Sequence, residues 1–170
     1  MRLSSHLKRE FSSRIFDEFY PRIHKCLSII DDEKLWESPN EHIPSIGSQV
    51  LHICGNSRQW ILAGIDGQKD NRIRNDEFIA HRKMGKSDLL LLLDNLKVNL
   101  NVFIEGLRDE QIEGLYTIQD FRVSGFSAII HVIEHFSYHV GQITVLTKLY
   151  SNEDTGYYGD MDLNGTNQVG

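Results

Sequence analysis

The sequence predicts an all-α protein, a four-helix bundle with long connections between helices 2 and 3 and between helices 3 and 4. Three observations support this prediction. Four segments repeat apolar residues at helical spacing, alternation of β-branched residues is weak, and only 3 of the 170 residues are proline. Four helices of about 20 residues, joined in this way, are typical of a bundle.

The composition limits how many domains the chain can form and which classes of function it can have. A chain of this length, with 40% hydrophobic and 25% charged residues, suits one globular domain. We expect the bundle over residues 1–150 and a polar, mobile tail over residues 151–170, which is rich in Gly, Asn and Asp. The net charge of −6 argues against nucleic-acid binding. No apolar run suggests a membrane span or a signal peptide, and the two cysteines lack CxxC spacing, so we expect a cytoplasmic protein.

The first two helices are predicted from apolar periodicity. The first begins near Leu3, and Pro21 interrupts its pattern, so a kink or a break is expected there. A loop with two prolines follows over residues 36–44. The second helix runs from about Ile46 to Ile65, with Ser45 as its N-cap. The polar segment 66–86 then forms the first long connection.

The third helix is expected to begin after Ser87 as N-cap, with Asp88 in its first turn. Residues 108–123 form the second connection, with a short extended piece near residues 116–123. The fourth helix runs from residues 124–127 to about residue 150. Between residues 127 and 147 its only charged residue is Glu134. Such a helix is usually central and buried.

Three histidines stand one helical turn apart in this last helix, at His131, His135 and His139. Around the helix axis, the directions of these three side chains differ by only about 80°, so all three lie on one strip of the helix surface. His131 and His139 are nevertheless about 12 Å apart along the axis. Bonds of about 2.0–2.1 Å cannot join both to one ion. Only a neighbouring pair can chelate, and a third protein ligand has to come from elsewhere in the chain.

His52 is the candidate for that third ligand. It shares one face of the second helix with a set of polar residues that includes no Lys, Arg, Asp or Glu: Gln49, Asn56 and Gln59. A solvent-exposed face normally carries charged residues, so this face is interpreted as a cavity wall. The one charged residue of the helix, Arg58, falls towards the apolar side, and the sequence does not explain its position. Cys54 is interpreted as a packing residue. The other histidines are interpreted as surface residues: His6, His24, His42 and His81.

A site with three imidazoles leaves one coordination position open, as in catalytic zinc centres. Imidazole nitrogens suit Zn, Ni, Cu and Fe. The alternative interpretation is a bundle without metal, whose histidines only form hydrogen bonds. Such a buried run would need many hydrogen-bond partners.

Two segments resemble signatures of the DinB/YfiT-like metalloenzymes. The segment from His135 to Gln142 resembles the HxxxHxGQ signature of their last helix, and the segment from Ile46 to Trp60 resembles their second-helix signature. The continuation, with Arg72 and Glu77-Phe78, resembles one bacterial branch of that superfamily. The resemblance extends to about residue 150 and leaves the tail outside.

The resemblance implies a four-helix bundle whose metal ligands are His52, His135 and His139, with His131 as a neighbour. It also implies a small-molecule substrate, such as a low-molecular-weight thiol, and a homodimer. The ion would be Zn or Ni, with Mn or Fe as further options. We expect a transferase or hydrolase in detoxification or stress response; the alternative is a non-catalytic metal-binding or stress-response bundle. Asn56 could orient substrate or water, and His131 and Glu134 could assist a ligand or shuttle protons.

Overall fold

A computed structural model describes residues 3–79, 84–159 and 161–165, and it forms a four-helix bundle. The all-α fold predicted from the sequence is confirmed. The first bundle helix consists of α1 (Leu3–Ser12), a π-helical segment (Ser13–Phe19) and α2 (Tyr20–Ile29). The second consists of α4 (Ile46–Ser57) and a π-helical segment (Arg58–Ala63), and a short helix α3 (Asp32–Leu35) precedes it.

The other elements complete the bundle and its two connections. The third and fourth bundle helices are α6 (Lys86–Gly106) and α8 (Gly125–Ser151). The first connection contains α5 (Asp76–Ile79). The second connection contains α7 (Asp109–Glu113), β1 (Leu115–Ile118) and β2 (Phe121–Ser124). No helix in the described part of the chain combines the length and hydropathy that a membrane crossing needs.

Pro21 produces a local change of helix type, without ending the first bundle helix. It lies in the first turn of α2, directly after the π-helical segment. Proline has no N–H and clashes with the carbonyl group of residue i−4 in a regular helix. The wider π turn accommodates this interruption while the chain stays helical.

Serine caps begin α4 and α8. The cap at Ser45 was predicted, whereas for α8 only a start within residues 124–127 was predicted. The Ser45 hydroxyl accepts the backbone N–H of Ser48 at 3.2 Å, and the Ser124 hydroxyl accepts that of Ser127 at 3.1 Å. The predicted start of α6 is wrong by two residues. Its N-cap is Gly85, whose N–H donates to the Asp88 carboxylate at 2.9 Å, so Ser87 lies inside the first turn.

The extended piece predicted near residues 116–123 is an antiparallel hairpin of β1 and β2. Its turn residues Gln119 and Asp120 have φ values of 50° and 65°, which is the left-handed conformation that a tight two-residue hairpin turn requires. The Trp60 indole N–H donates to the Gln119 side chain at 3.2 Å. This bond attaches the hairpin to the end of the second bundle helix.

The core lies between all four bundle helices, but α8 is not central. Phe136 of α8 is fully buried and stacks on Phe19 and Tyr20, with ring centroids 6.4 Å and 5.8 Å apart. The opposite face of α8 is open, and Tyr138 and Val145 there are 64% and 65% exposed. The prediction that this charge-poor helix is buried is therefore wrong for one of its faces.

The first part of the predicted tail packs against the bundle. The Tyr157 hydroxyl lies 3.0 Å from Cys26 Sγ of α2 and 2.8 Å from the Thr144 hydroxyl of α8. The Arg22 guanidinium lies 5.1 Å from the centroid of the Tyr157 ring, and Thr155 is buried. These contacts join residues 155–157 to two bundle helices. The domain boundary at residue 150 and the mobility of the remaining tail stay predictions.

Candidate metal centre

Three histidines converge where α4 packs against α8. One possible ligand atom each from His52, His135 and His139 lies within 4.8 Å of the other two. Nε2 of His52 is 3.1 Å from Nε2 of His135, and the three ring centroids are 4.5–5.0 Å apart. His52 and His139 are buried, and His135 is half-buried. The structure thus brings together the three residues predicted as ligands, at distances that allow one ion to contact all three.

A buried carboxylate orients His52. His52 Nδ1 is 2.8 Å from Oε2 of Glu77 in α5, so an N–H there donates to the carboxylate and leaves the Nε2 lone pair facing His135. Arg72 donates to both oxygens of Glu77, at 2.6 Å and 2.9 Å. Burial alone would raise the pKa of Glu77, but the hydrogen bonds from His52 and Arg72 lower it below its usual value. A carboxylate behind an imidazole fixes its tautomer and increases its basicity as a ligand.

An amide orients His139 in the same way. His139 Nδ1 is 3.2 Å from the side-chain oxygen of Gln49, which is fully buried. The Gln49 amide group donates to the backbone carbonyl of Pro44 at 3.1 Å, which fixes the orientation of the amide. Nδ1 of His139 therefore carries the proton. Its Nε2 is left unprotonated and able to bind an ion.

The electrostatic environment keeps His135 and His139 neutral. Burial, followed by repulsion from the neighbouring histidines, lowers the pKa of His135 to about 3 and that of His139 to about 4. Metal ions bind the neutral imidazole, so these two ligands need not lose protons near neutral pH. His135 Nδ1 is buried and has no hydrogen-bond partner within the described residues. Three imidazole nitrogens on two helices are a donor set that suits a divalent transition metal.

Comparison with known proteins places the chain in a family. The family model described as "Protein of unknown function (DUF1572)" matches residues 7–157. The chain belongs to the DUF1572 family. No protein with a curated function matches this DUF1572 protein significantly.

Two solved structures share the fold of the DUF1572 protein. A DinB-like protein from Bacillus subtilis, YjoA, has 18% sequence identity and a TM-score of 0.61, over 85% of this chain and 91% of that chain. A DinB-like protein from Bacillus cereus ATCC 10987 has 19% identity and a TM-score of 0.57, over 79% of this chain and 87% of that chain. These two likenesses confirm the DinB-like fold that the resemblance implied.

His131 lies beside the triad of the DUF1572 protein and not within it. Its ring stacks on Trp60 with centroids 3.8 Å apart, and the Asn56 amide lies 3.2 Å from its Nε2 and donates to it. Its ring centroid is 5.5 Å from that of His135. Burial lowers the pKa of His131, although the nearby Glu134 opposes this change. His131 and Asn56 therefore border the triad, and the roles suggested for them stay predictions.

Glu134 is not brought to the triad. It lies on the exposed side of α8 and lines a groove with Arg14 and Tyr138. Arg58, whose position the sequence left unexplained, is exposed as well. His6 and His42 are exposed as expected, and His24 is partly exposed. His81 lies outside the described residues.

Sequence reasoning missed the supporting role of Glu77 and Arg72. Gln49 was found because it belongs to the uncharged polar face of the second bundle helix. Gln49, His52 and Asn56 of this face are buried, whereas Gln59 is half-buried and bonds to Arg72 of the first connection. Glu77 and Arg72 lie in the polar first connection, where no periodicity indicates which charges fold inward. Their one signal in the sequence was the resemblance of this segment to a bacterial branch of the superfamily.

We expect the Glu77→Gln variant to bind a divalent ion about 10–100-fold more weakly, which is the usual cost of losing a hydrogen-bond partner of a metal ligand. The amide has one acceptor oxygen where the carboxylate has two, so its NH2 group would face an N–H donor of either Arg72 or His52. Competition with a chromogenic chelator measures the affinity. The control is Asp76→Asn, which changes the neighbouring, exposed carboxylate. Equal affinities of the two variants would contradict a supporting role for Glu77.

Proposed function

We propose that this protein is a divalent-metal-dependent enzyme that acts on a small molecule, with Zn or Ni held by His52, His135 and His139. The observation that carries the proposal is the convergence of three imidazole ligand atoms within 4.8 Å. Three protein ligands leave a coordination position for water or substrate. A fully protein-ligated structural site would normally provide four.

The reaction we favour is thiol S-transfer to an electrophile. When bound, the ion supplies Lewis acidity that lowers the pKa of a coordinated thiol or water. Glu77 and Gln49 hold the imidazoles of His52 and His139 so that their nitrogens face the same point. The preference for a thiol over water comes from the resemblance to the DinB-like enzymes.

The surroundings of the triad support a reaction that needs no strong side-chain base. Glu77, the buried carboxylate beside the triad, is already bound by His52 and Arg72. It is therefore engaged in orientation and is a poor proton acceptor. His131, with its lowered pKa, is a weak base as well. A nucleophile activated by an ion fits these residues better than one activated by a neighbouring carboxylate.

A cavity beside His139 indicates the chemistry of the substrate. It has a volume of about 640 Å³, and none of the described residues that line it is a Lys, Arg, Asp or Glu. Its walls include Ile43, Tyr138, Val145 and the polar Gln142. Such a lining favours a neutral and partly apolar electrophile.

The test is metal analysis of the purified protein, followed by a screen of low-molecular-weight thiols against 1-chloro-2,4-dinitrobenzene. We expect one divalent ion per chain, and a turnover that is lost on chelation and restored by the metal. Absence of any bound divalent ion, both as purified and after reconstitution, would overturn the proposal.

A structural metal is the second candidate, because the triad joins two helices that pack against each other, α4 and α8. An ion that binds only the folded state stabilises it in proportion to its affinity. Thermal unfolding with and without a chelator separates the two candidates. A large fall in Tm on chelation, without turnover of any thiol and electrophile, favours the structural candidate.

A further inference from the structure

Gly55 lies inside α4, three residues after His52. Glycine is unfavourable in the interior of a helix, because it loses more conformational freedom on folding than alanine does. The backbone at this position does not require glycine, since the glycines with positive φ in the described part of the chain are Gly67 and Gly156. The reason for a glycine at position 55 therefore lies in what surrounds it.

The space beside Gly55 is filled by the ion pair that supports His52. A Cβ at position 55 would overlap Oε1 of Glu77 and would lie 2.8 Å from Nε of Arg72. The side chains of Arg72 and Glu77 are only 5% and 10% exposed. The pair thus packs directly against the backbone of α4, in the place that a side chain at position 55 would occupy.

Arg72 is also held from the side away from Gly55. Its Nη1 donates to the side-chain oxygen of Gln59 at 2.8 Å, and its backbone N–H donates to Asp70 at 2.9 Å. The Gln59 amide group donates to the same Asp70 carboxylate at 2.7 Å. Because Arg72 is fixed in this way, a displaced Glu77 would lose its bonds to Arg72 or its bond to His52.

The bundle itself could accommodate a side chain at position 55. The atoms that it would meet belong to the ends of two side chains, and none of them is a backbone atom. Gly125 provides the contrast, because a Cβ there would overlap the backbone oxygen of Gln111. A side chain at position 125 would displace the chain, whereas one at position 55 would displace the Arg72–Glu77 pair.

The position of this pair decides which nitrogen of His52 carries the proton. Nδ1 of His52 is 2.8 Å from Oε2 of Glu77 and 3.2 Å from Nη2 of Arg72. A carboxylate accepts an N–H, so Glu77 keeps the proton on Nδ1 and the lone pair on Nε2. A guanidinium only donates, so Arg72 without the carboxylate would favour the lone pair on Nδ1. The proton would then lie on Nε2 and block the nitrogen that faces His135.

We infer that Gly55 is a positioning residue of the metal centre. The absence of a side chain lets the Arg72–Glu77 pair pack against α4, where Glu77 selects the tautomer of His52 that can bind an ion. Gly55 itself contacts neither the ion nor a substrate. The effect on metal affinity rests on the metal site of the proposed function, whereas the effect on the tautomer of His52 requires no ion.

Gly55→Ala tests this role in the full-length protein. We expect circular dichroism to show an intact bundle, because alanine favours a helix. The affinity for Zn²⁺ should fall about 10–100-fold, as for other losses of a ligand's hydrogen-bond partner. Competition with a chromogenic chelator measures the affinity. Loss of the bundle would show that the fold requires this glycine, and it would overturn the inference, as would a wild-type affinity.

Gly141→Ala is the matched control for this substitution. Gly141 lies inside α8, two residues after His139, and a Cβ there meets nothing within 4 Å. The affinity of this variant for Zn²⁺ should remain that of the wild type. An equal loss of affinity in Gly141→Ala and Gly55→Ala would show a general effect of alanine near a ligand, which contradicts the inference.

A double variant tests whether Gly55 acts through Glu77. Adding Gly55→Ala to Glu77→Gln should lower the affinity for Zn²⁺ by less than about twofold, because the same hydrogen bond is already lost. Independent effects would multiply. Multiplied losses in the double variant would therefore overturn the inference.

¹⁵N nuclear magnetic resonance of the imidazoles provides a readout in the metal-free protein. We expect the proton of His52 on Nδ1 in the wild type and in Gly141→Ala. In Gly55→Ala it should move to Nε2 or exchange between the two nitrogens. A proton that stays on Nδ1 in all three proteins would overturn the inference. A wild type that binds no divalent ion would overturn the proposed function, and these spectra would still decide the role of Gly55.

Discussion

The His52→Ala variant is expected to lose its metal, with an affinity reduced by more than about 100-fold. This loss is larger than the one expected when only the hydrogen-bond partner of a ligand is removed. His139→Ala is expected to have the same effect. Each substitution removes one of the three converging imidazoles and leaves only two, whose ligand atoms lie within 4.8 Å. Elemental analysis after dialysis, and competition with a chromogenic chelator, measure the loss.

His131→Ala is the matched control, because it removes an imidazole from the same strip of α8. His131 is held by Trp60 and Asn56, outside the converging group, so its removal should leave metal binding within a small factor of wild type. The opposite pattern, in which His131→Ala loses metal and His139→Ala keeps it, would show that the ligand assignment is wrong. Circular dichroism of each variant verifies that the bundle is intact.

The Phe136→Ala variant is expected to lower the free energy of unfolding by about 3–5 kcal/mol, as for other large aromatic side chains removed from a core. Phe136 is fully buried, and it stacks on Phe19 and Tyr20 of the first bundle helix. Chemical denaturation of the metal-free protein measures the change without a contribution from bound ion.

Phe126→Ala provides the comparison for this prediction. Phe126 lies near the start of the same helix but is 40% exposed, so the same truncation should cost less than about 1 kcal/mol. Similar losses for the two variants would contradict the placement of Phe136 at the centre of the core.

The parts of the fold that depend on local interactions could be predicted from the sequence. Ser45 and Ser124 cap their helices through bonds to residues only three positions away, and both helix starts were predicted. The start of α6 was not, because two caps compete there. The Asp88 carboxylate accepts the N–H of Gly85, so the helix begins at Lys86, two residues before the predicted start at Asp88.

The candidate site, like the fold, has one part that could be predicted from the sequence and another that could not. The uncharged face of α4 predicted one wall of the site, because burial of polar residues leaves a recognisable pattern on a helix. The contact of Glu77 with His52 joins residues 25 positions apart through an irregular connection, and no periodic pattern reports how such a segment folds. For α8, composition predicted that the helix is covered. This prediction is wrong for the face that bears Tyr138 and Val145, because composition does not report which faces of a helix contact the rest of the chain.

Chain connectivity has a consequence for how the triad assembles. His52 and His135 are 83 positions apart, so their meeting closes a loop that contains α5, α6 and the hairpin. The entropy of loop closure grows slowly with length, but packing of α4 against α8 must compensate for it before all three nitrogens are present together. An isolated α8 peptide would retain only the pair His135 and His139. Affinity for a divalent ion can therefore serve as a folding probe that reports the native pairing of these two helices.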